Sequence, residues 1–271
     1  MSEIPSVINS NFWQEIEQPN DPFAADVVRC SGYDVYGELI RKASYFEYIY
    51  LLFKGERPSK EQGRALEILS IAIANPGPRD PAVHAAMCGG VGGSTSASIL
   101  IAALSVGAGS YGGAREVFLM TQFWQQRTTN LTLWCELLNN PPALTKDEVW
   151  PACEHPPGFA PYDSQCRLPV IKTLDELAAV LPNGHISWLR ENRLILEKSA
   201  KHPLSMAGLT ATCLFDLGFS PSEAEILTLL LRLPGAAAHA IEQNNLGFRQ
   251  FPYFNLDLMN DPGPDQAKES I

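Results

Sequence analysis

The chain has 271 residues, with 30 acidic and 20 basic side chains and a formal net charge of −10 at pH 7. That length builds one large domain or a body with a smaller lobe, and a hydrophobic content of 45% excludes disorder over most of it. An acidic balance with scattered Lys and Arg excludes a nucleic-acid surface, although a few arginines would suffice to line a pocket for a small anion.

The N-terminus, MSEIPSVINSNFWQEIEQ, has no basic segment followed by an apolar run, so no signal peptide is expected. Six cysteines (Cys30, Cys88, Cys135, Cys153, Cys166, Cys213) form no CxxC pair and read as reduced thiols of a cytoplasmic protein. Val27 to Tyr36 is predicted as a short strand. Ser59-Lys60-Glu61-Gln62 has the capping-box form, and Leu66, Leu69 and Ile73 then share one helical stripe. Asp80-Pro81 opens another helix. Gly89 to Gly93 precedes a helix of small and apolar residues, Ser94 to Val106. Its apolar core, Ile99 to Val106, falls short of the ~20 residues a bilayer span needs.

Thr145-Lys146-Asp147-Glu148 and Thr173-Leu174-Asp175-Glu176 also read as capping boxes. The Pro- and Gly-rich stretch between Pro141 and Pro169 cannot be regular helix, and Leu168 to Lys172 reads as a second short strand. A further break is expected at Lys201 to Gly208. Ser220-Pro221-Ser222-Glu223 then starts a helix that is apolar nearly all round from Glu223 to Leu233. From Asp261 onward the chain is polar and expected to fray. The fold class is all-α.

Several segments resemble the citrate synthase family, in its short form that includes citryl-CoA-lyase-like proteins. Gly32-Tyr33-Asp34-Val35, Ala43 to Tyr48 and Tyr50 to Pro58 are similar to its "GYD…FEE…YLL…GELP" signature. Gly109-Ser110-Tyr111-Gly112-Gly113-Ala114-Arg115-Glu116 resembles "G-x-x-H-G-G-A-x-E", and Pro157-Gly158-Phe159 resembles the start of "PGFGH". Pro203 to Gly208 sits where "PLNVDG" does, and Arg232-Leu233-Pro234-Gly235 with Ala238-His239 and Glu242-Gln243 matches "R-x-P-G…AH…EQ". The order and spacing of these fragments, from about residue 32 to 256, make the resemblance specific.

The resemblance implies a mainly helical homodimer. A large domain of residues 1–111 and 208–271 would carry a small domain of residues 112–207. Acyl-CoA and an oxo-acid would meet in the cleft, with a CoA thioester as substrate and no tightly bound cofactor. The reaction class would be acyl transfer or lysis at a carbon–carbon bond. Such chemistry needs a carboxylate to take a weakly acidic proton and donors to stabilise the enolate oxygen and polarise the ketone. The family uses one aspartate and two histidines. Here the first histidine position is Tyr111, the second falls at Ala160 or Pro161, and the aspartate position is Ala207. An alanine accepts no proton, so the conventional reaction is not expected.

Arg232, Arg249 and Arg167 are the carboxylate-binding candidates that the resemblance implies, because guanidinium groups donate paired hydrogen bonds; local ion pairing is the competing explanation. Tyr111 is the candidate catalytic donor, or else a ring that fills the imidazole's space. His239 and Glu242 share a helix face as either a satisfied histidine or an acid–base pair. His84 with Cys88, and the group Cys153, His155 and Cys166, lack the full tetrahedral set a zinc site requires, so no metal is expected. Cys166 has no partnered histidine to make it a nucleophile. Gly89 to Gly93 lacks the GK[ST] ending of a phosphate loop and reads as a place of close backbone approach. Three readings follow: a divergent enzyme, a non-catalytic binding subunit that pairs with itself or with an active relative, and a true citrate synthase or citryl-CoA lyase with relocated groups. None of the three calls for a membrane or nucleic acid.

Overall fold

The computed structural model describes residues 10–140, 155–252 and 254. It opens with a three-stranded antiparallel sheet, in the order β1-β2-β3, of β1 (Trp13–Gln18), β2 (Asp21–Cys30) and β3 (Tyr33–Asp34). Trp13 pairs with Cys30 and Cys30 with Tyr33. The strand expected from Val27 to Tyr36 is therefore two strands, and the pairing reaches back to Trp13. Almost every side chain of β1 is exposed, so the hairpin leaves no in–out alternation to read in sequence. Asp34 caps a π-type turn, Val35–Leu39, that runs into the single turn α1 (Ile40–Lys42).

The helical body follows. Ser44 with Glu47, Ser59 with Gln62, and Ser220 with Glu223 form reciprocal capping boxes on α2 (Tyr45–Lys54), α3 (Lys60–Ile73) and α11 (Pro221–Leu246). Asp80 caps α4 (Pro81–Val91) through the N–H groups of Ala82 and Val83. Next come α5 (Ser96–Gly107), α6 (Ala114–Arg127) and α7 (Leu131–Asn139). Thr145 to Glu148 and Cys153 lie outside the described residues, as does the tail from Asp261.

Residues Leu168 to Lys172 are helix and not strand: α8 spans Leu168–Val180. The period that decides this emerges over four turns, where Val170, Leu174, Leu177 and Ala178 are buried on one side. Thr173 consequently sits in the second turn, and its hydroxyl donates to the Pro169 carbonyl at 2.8 Å instead of capping a helix. Helix α9 (His185–Ala200) starts on a glycine and is capped from a distance. The Asp216 carboxylate, at the end of α10 (Met206–Asp216), accepts from the His185 and Ile186 N–H groups at 2.7 and 2.8 Å. The break expected at Lys201 to Gly208 ends earlier, because the Ser205 hydroxyl caps α10 and Gly208 is already helical.

The largest apolar cluster gathers side chains from α2, α3 and α6 to α11. At its centre Trp124 is wholly buried, donates to Thr212 at 2.9 Å, and packs on Trp134 with ring centroids 4.5 Å apart. Burying such a ring withdraws roughly 150–250 Å² from water, worth about 4–6 kcal/mol against exposure. A second cluster of small residues, Ala86, Ala103, Ala236 and Ala240 among them, packs α4, α5 and α11 closely. The glycine-run expectation is met there: a Cβ on Gly90 would lie 3.0 Å from the Ala240 carbonyl carbon.

Helix α11 alone among the described residues is long and apolar enough to cross a membrane by length and composition. It packs instead along α4, α5 and α6. It also continues through Pro234, where the Gly235 N–H leaves the helical ladder and donates to the Ala74 carbonyl at 2.8 Å.

Candidate functional site

The loops at 75–80, 111–113 and 155–167, with parts of α3, α6, α8, α10 and α11, line a cavity of about 630 Å³. Its wall includes Tyr111, Ala160, Pro161, Arg167, Ala207 and Arg232, so six of the seven residues to which the resemblance assigned site positions meet in one place. Arg249 does not join them. It is exposed in the short turn Phe248–Gln250 beyond α11.

Backbone contacts explain the convergence. Gly112 takes a left-handed conformation, with φ 68°, between Tyr111 and the start of α6. Segment Gly158–Ala160 pairs with Pro203–Ser205, which leads into α10: the Ala160 N–H donates to the Pro203 carbonyl at 2.8 Å and the Ser205 N–H to the Gly158 carbonyl at 3.0 Å. Ala207 then occupies the second residue of α10, partly buried against the main core. Glu116 ties the two halves together. This carboxylate is 1% exposed and accepts from the Gly112 N–H and from the Gly158 N–H, both at 2.7 Å. Both of its oxygens are thereby engaged, so it is a clamp between loops and not a free base.

The arginines carry local partners. Arg232 donates to the Gly112 carbonyl at 3.2 Å and forms a tight ion pair with the second oxygen of Asp80, the residue that caps α4. Arg167 pairs with Asp163 through two nitrogens, at 2.7 and 2.8 Å, and that hydrogen bond pushes its pKa further above the ordinary arginine value. Arg79, which sequence reasoning passed over, also lines the cavity and has no ion-pair partner among the described residues. Arg79, Arg167 and Arg232 thus face Asp80, Glu116 and Asp163, and the wall is close to neutral when its histidine is neutral.

That histidine is His155. Although 3% exposed, it lines the cavity, with its ring 5.7 Å from that of Tyr111 and Nε2 3.8 Å from Glu116 Oε1. Its Nδ1 is buried without a hydrogen-bond partner among the described residues. Sequence reading placed His155 only in a cysteine-rich loop, because its relation to Tyr111 and Glu116 depends on how the two loops close. The adjoining His202 is lowered in pKa by burial and by His155.

Other candidates resolve differently. His239 is satisfied on both nitrogens, by Glu242 and by Asn75 at 3.1 Å each, and stands outside the cavity wall. His84 stacks on Phe251. Among the described residues no three His, Cys, Asp and Glu side chains are disposed to hold a metal. Burial pushes the Cys166 thiol up to about 11, with Glu197 adding to the effect.

No family model matches the chain, and no curated protein matches it in sequence. Solved structures do. Citryl-CoA lyase from Hydrogenobacter thermophilus matches with a TM-score of 0.67 at 19% identity, over 94% of this chain and 98% of its own. ATP citrate lyase from Methanothrix soehngenii, in complex with citrate and coenzyme A, matches with 0.67 at 17% over 94% of this chain and 42% of its own. Citrate synthase from Thermoplasma acidophilum, with carboxymethyl coenzyme A and oxaloacetate, matches with 0.55 at 16% over 84% and 61%. The chain therefore has the citrate synthase-type, citryl-CoA-lyase-like all-α fold. It spans less than half the length of the ATP citrate lyase.

Proposed function

We propose that this is a divergent protein of citrate synthase fold that binds an acyl-CoA, a carboxylic acid or both in the 630 Å³ cavity, and does not run the conventional condensation. The observation that carries this reading is the meeting of Tyr111, Ala160, Arg167, Ala207 and Arg232 on one wall, although more than a hundred residues separate Tyr111 from Arg232. Removing a proton beside a thioester requires a base at the reacting carbon. A methyl group at Ala207 supplies none, and both oxygens of Glu116 are held by backbone N–H groups. Tyr111 would contribute a phenol as a donor toward a carbonyl or carboxylate oxygen. The apolar wall of Ile73, Val117, Phe159 and Val170 would take the ligand's carbon skeleton.

A division into residues 1–111 with 208–271 and residues 112–207 belongs to the same proposal; both parts contribute to the cavity wall. So does a homodimer. Helix α5 is apolar yet exposes Ile101 at 61%, and α11 exposes Ile241 at 64%, the kind of surface a second copy covers. A cytoplasmic location completes the reading. The second reading, a binding subunit without catalysis, is favoured by the acid partners already held by Arg232 and Arg167.

Thermal melting with CoA, acetyl-CoA, citrate and oxaloacetate tests the proposal. A ligand at a hundredfold its Kd adds about 2.7 kcal/mol to native stability. The absence of any shift with the two CoA compounds rules out the acyl-CoA assignment. Thiol release from acetyl-CoA with oxaloacetate distinguishes enzyme from binding subunit.

A further inference from the structure

We infer that Thr210 sets the ligand specificity of the cavity, its hydroxyl placed to bond a hydroxyl carried on the uncharged acyl chain of a CoA thioester. This rests on the reading that the cavity takes an acyl-CoA. Among the described residues four threonines are buried: Thr121, Thr210, Thr212 and Thr228. Three of them donate to the helix carbonyl four residues back, Thr121 to Val117 and Thr212 to Gly208 at 2.8 Å, and Thr228 to Ala224 at 2.7 Å. Thr210, on α10, makes no such bond to Met206, and its hydroxyl has no other hydrogen-bond partner among the described residues. Buried polar atoms in folded proteins nearly always have partners, and an exception calls for a reason. The only side-chain polar atoms among the described residues that are both unpartnered and wholly shut in are Ser31 Oγ and His155 Nδ1. The Thr210 oxygen is therefore unpartnered but not shut in, and the space open to it is the cavity that Thr210 lines.

Ala207 lies three residues earlier on the same face of α10, so the hydroxyl stands one turn beyond that methyl. Helices α3, α6 and α8 pack against α10 and bring Ile73, Val117 and Val170 to the same wall. A carboxylate drawn into such surroundings would need a cation, but Asp80 and Asp163 already hold Arg232 and Arg167, and Arg79 is exposed. The matching group is thus uncharged. A ligand hydroxyl both gives and takes a proton, and so satisfies Thr210 whichever way its own hydroxyl is turned; a keto oxygen only accepts.

Calorimetric titration of the full-length chain tests this with butyryl-CoA, 2-hydroxybutyryl-CoA, 3-hydroxybutyryl-CoA and acetoacetyl-CoA, on wild type, T210S and T210V. Wild type and T210S are expected to bind one of the two hydroxyacyl esters about tenfold more tightly than butyryl-CoA, the effect of one hydrogen bond. T210V is expected to reduce that preference to within about twofold while binding butyryl-CoA as wild type does. Because the hydroxyl it removes has no protein partner, T210V is also expected to melt no lower than wild type. Equal binding of butyryl-CoA and both hydroxyacyl esters by wild type overturns the inference, without recourse to any variant, and leaves the cavity assignment standing. A preference that survives in T210V refutes it too, as does acetoacetyl-CoA binding more tightly than either hydroxyacyl ester. A T210V chain that unfolds or melts well below wild type also defeats it, since the hydroxyl would then have a partner inside the fold. Binding of none of the four probes by wild type overturns both the inference and the reading it rests on.

Discussion

Gly208 and Gly158 meet backbone against backbone. A Cβ on Gly208 would fall 2.9 Å from the Gly158 Cα and closer still to its carbonyl oxygen. This contact sets the start of α10, and with it Ala207, directly against the loop that carries Ala160 and Pro161. Gly208→Ala is expected to destabilise the chain by about 1–3 kcal/mol through overpacking. Thermal denaturation would register this as a loss of roughly 2–4 °C per kcal/mol at this size. A variant melting with wild type would mean that the two loops are not locked together.

The ion pair of Arg232 with Asp80 gives a second prediction. Asp80 caps α4 with one oxygen and holds Arg232 with the other. Asp80→Asn keeps a good helix cap but removes the charge that Arg232 faces. If Arg232 reaches a bound carboxylate, citrate is expected to bind about three- to tenfold more tightly to D80N, and Arg232→Ala to abolish that gain. Calorimetry would check both. An unchanged citrate affinity in D80N confines Arg232 to a structural role between α4, α11 and the Tyr111 loop.

The two relationships differ in what a sequence reveals. Caps such as Ser59, Asp80 and Ser220 are local, two or three residues from their partners, and could be read directly. The six cavity residues could be read through resemblance, because motif order survives where single identities do not. What escaped notice was non-local. Asp80 lies 152 residues from Arg232, and the orphaned nitrogen of His155 exists only once two loops close on each other. The β1–β2 hairpin escaped for the opposite reason: it buries little, and so it imposes no pattern. In Leu168 to Lys172 a five-residue window mistook a helix for a strand, because Val170, Leu174 and Leu177 reveal their period only over several turns.

Thiol reactivity follows from burial. With the Cys166 thiol raised to about 11, roughly one molecule in a thousand carries the thiolate at pH 8. Cys213, wholly buried and raised further, is more inert still. Cys88 is exposed on α4. Alkylation with iodoacetamide at pH 8, followed by peptide mass spectrometry, is expected to modify Cys88 well before Cys166. Labelling of Cys166 as fast as Cys88 would contradict this and reopen its candidacy as a nucleophile.

The decisive substitution is Ala207→Asp. Ala207 is the second residue of α10, where a carboxylate interacts favourably with the exposed N–H groups of the first turn, by about 0.3–1 kcal/mol. The site is partly buried, so desolvation offsets part of that gain, and the melting temperature is expected to change little. A carboxylate alone is insufficient for the chemistry, because the enolate it would create needs donors, and the positions where the resemblance implies histidines hold Tyr111 and Ala160 or Pro161. Thiol release from acetyl-CoA with oxaloacetate is therefore expected to stay at background in wild type and in A207D alike. Turnover appearing in A207D, and lost again on adding Tyr111→Phe, would show that the phenol can stabilise the enolate oxygen unaided. Turnover in wild type would show that some other group on this wall already accepts the proton, and the absence of a base at Ala207 would then carry no weight.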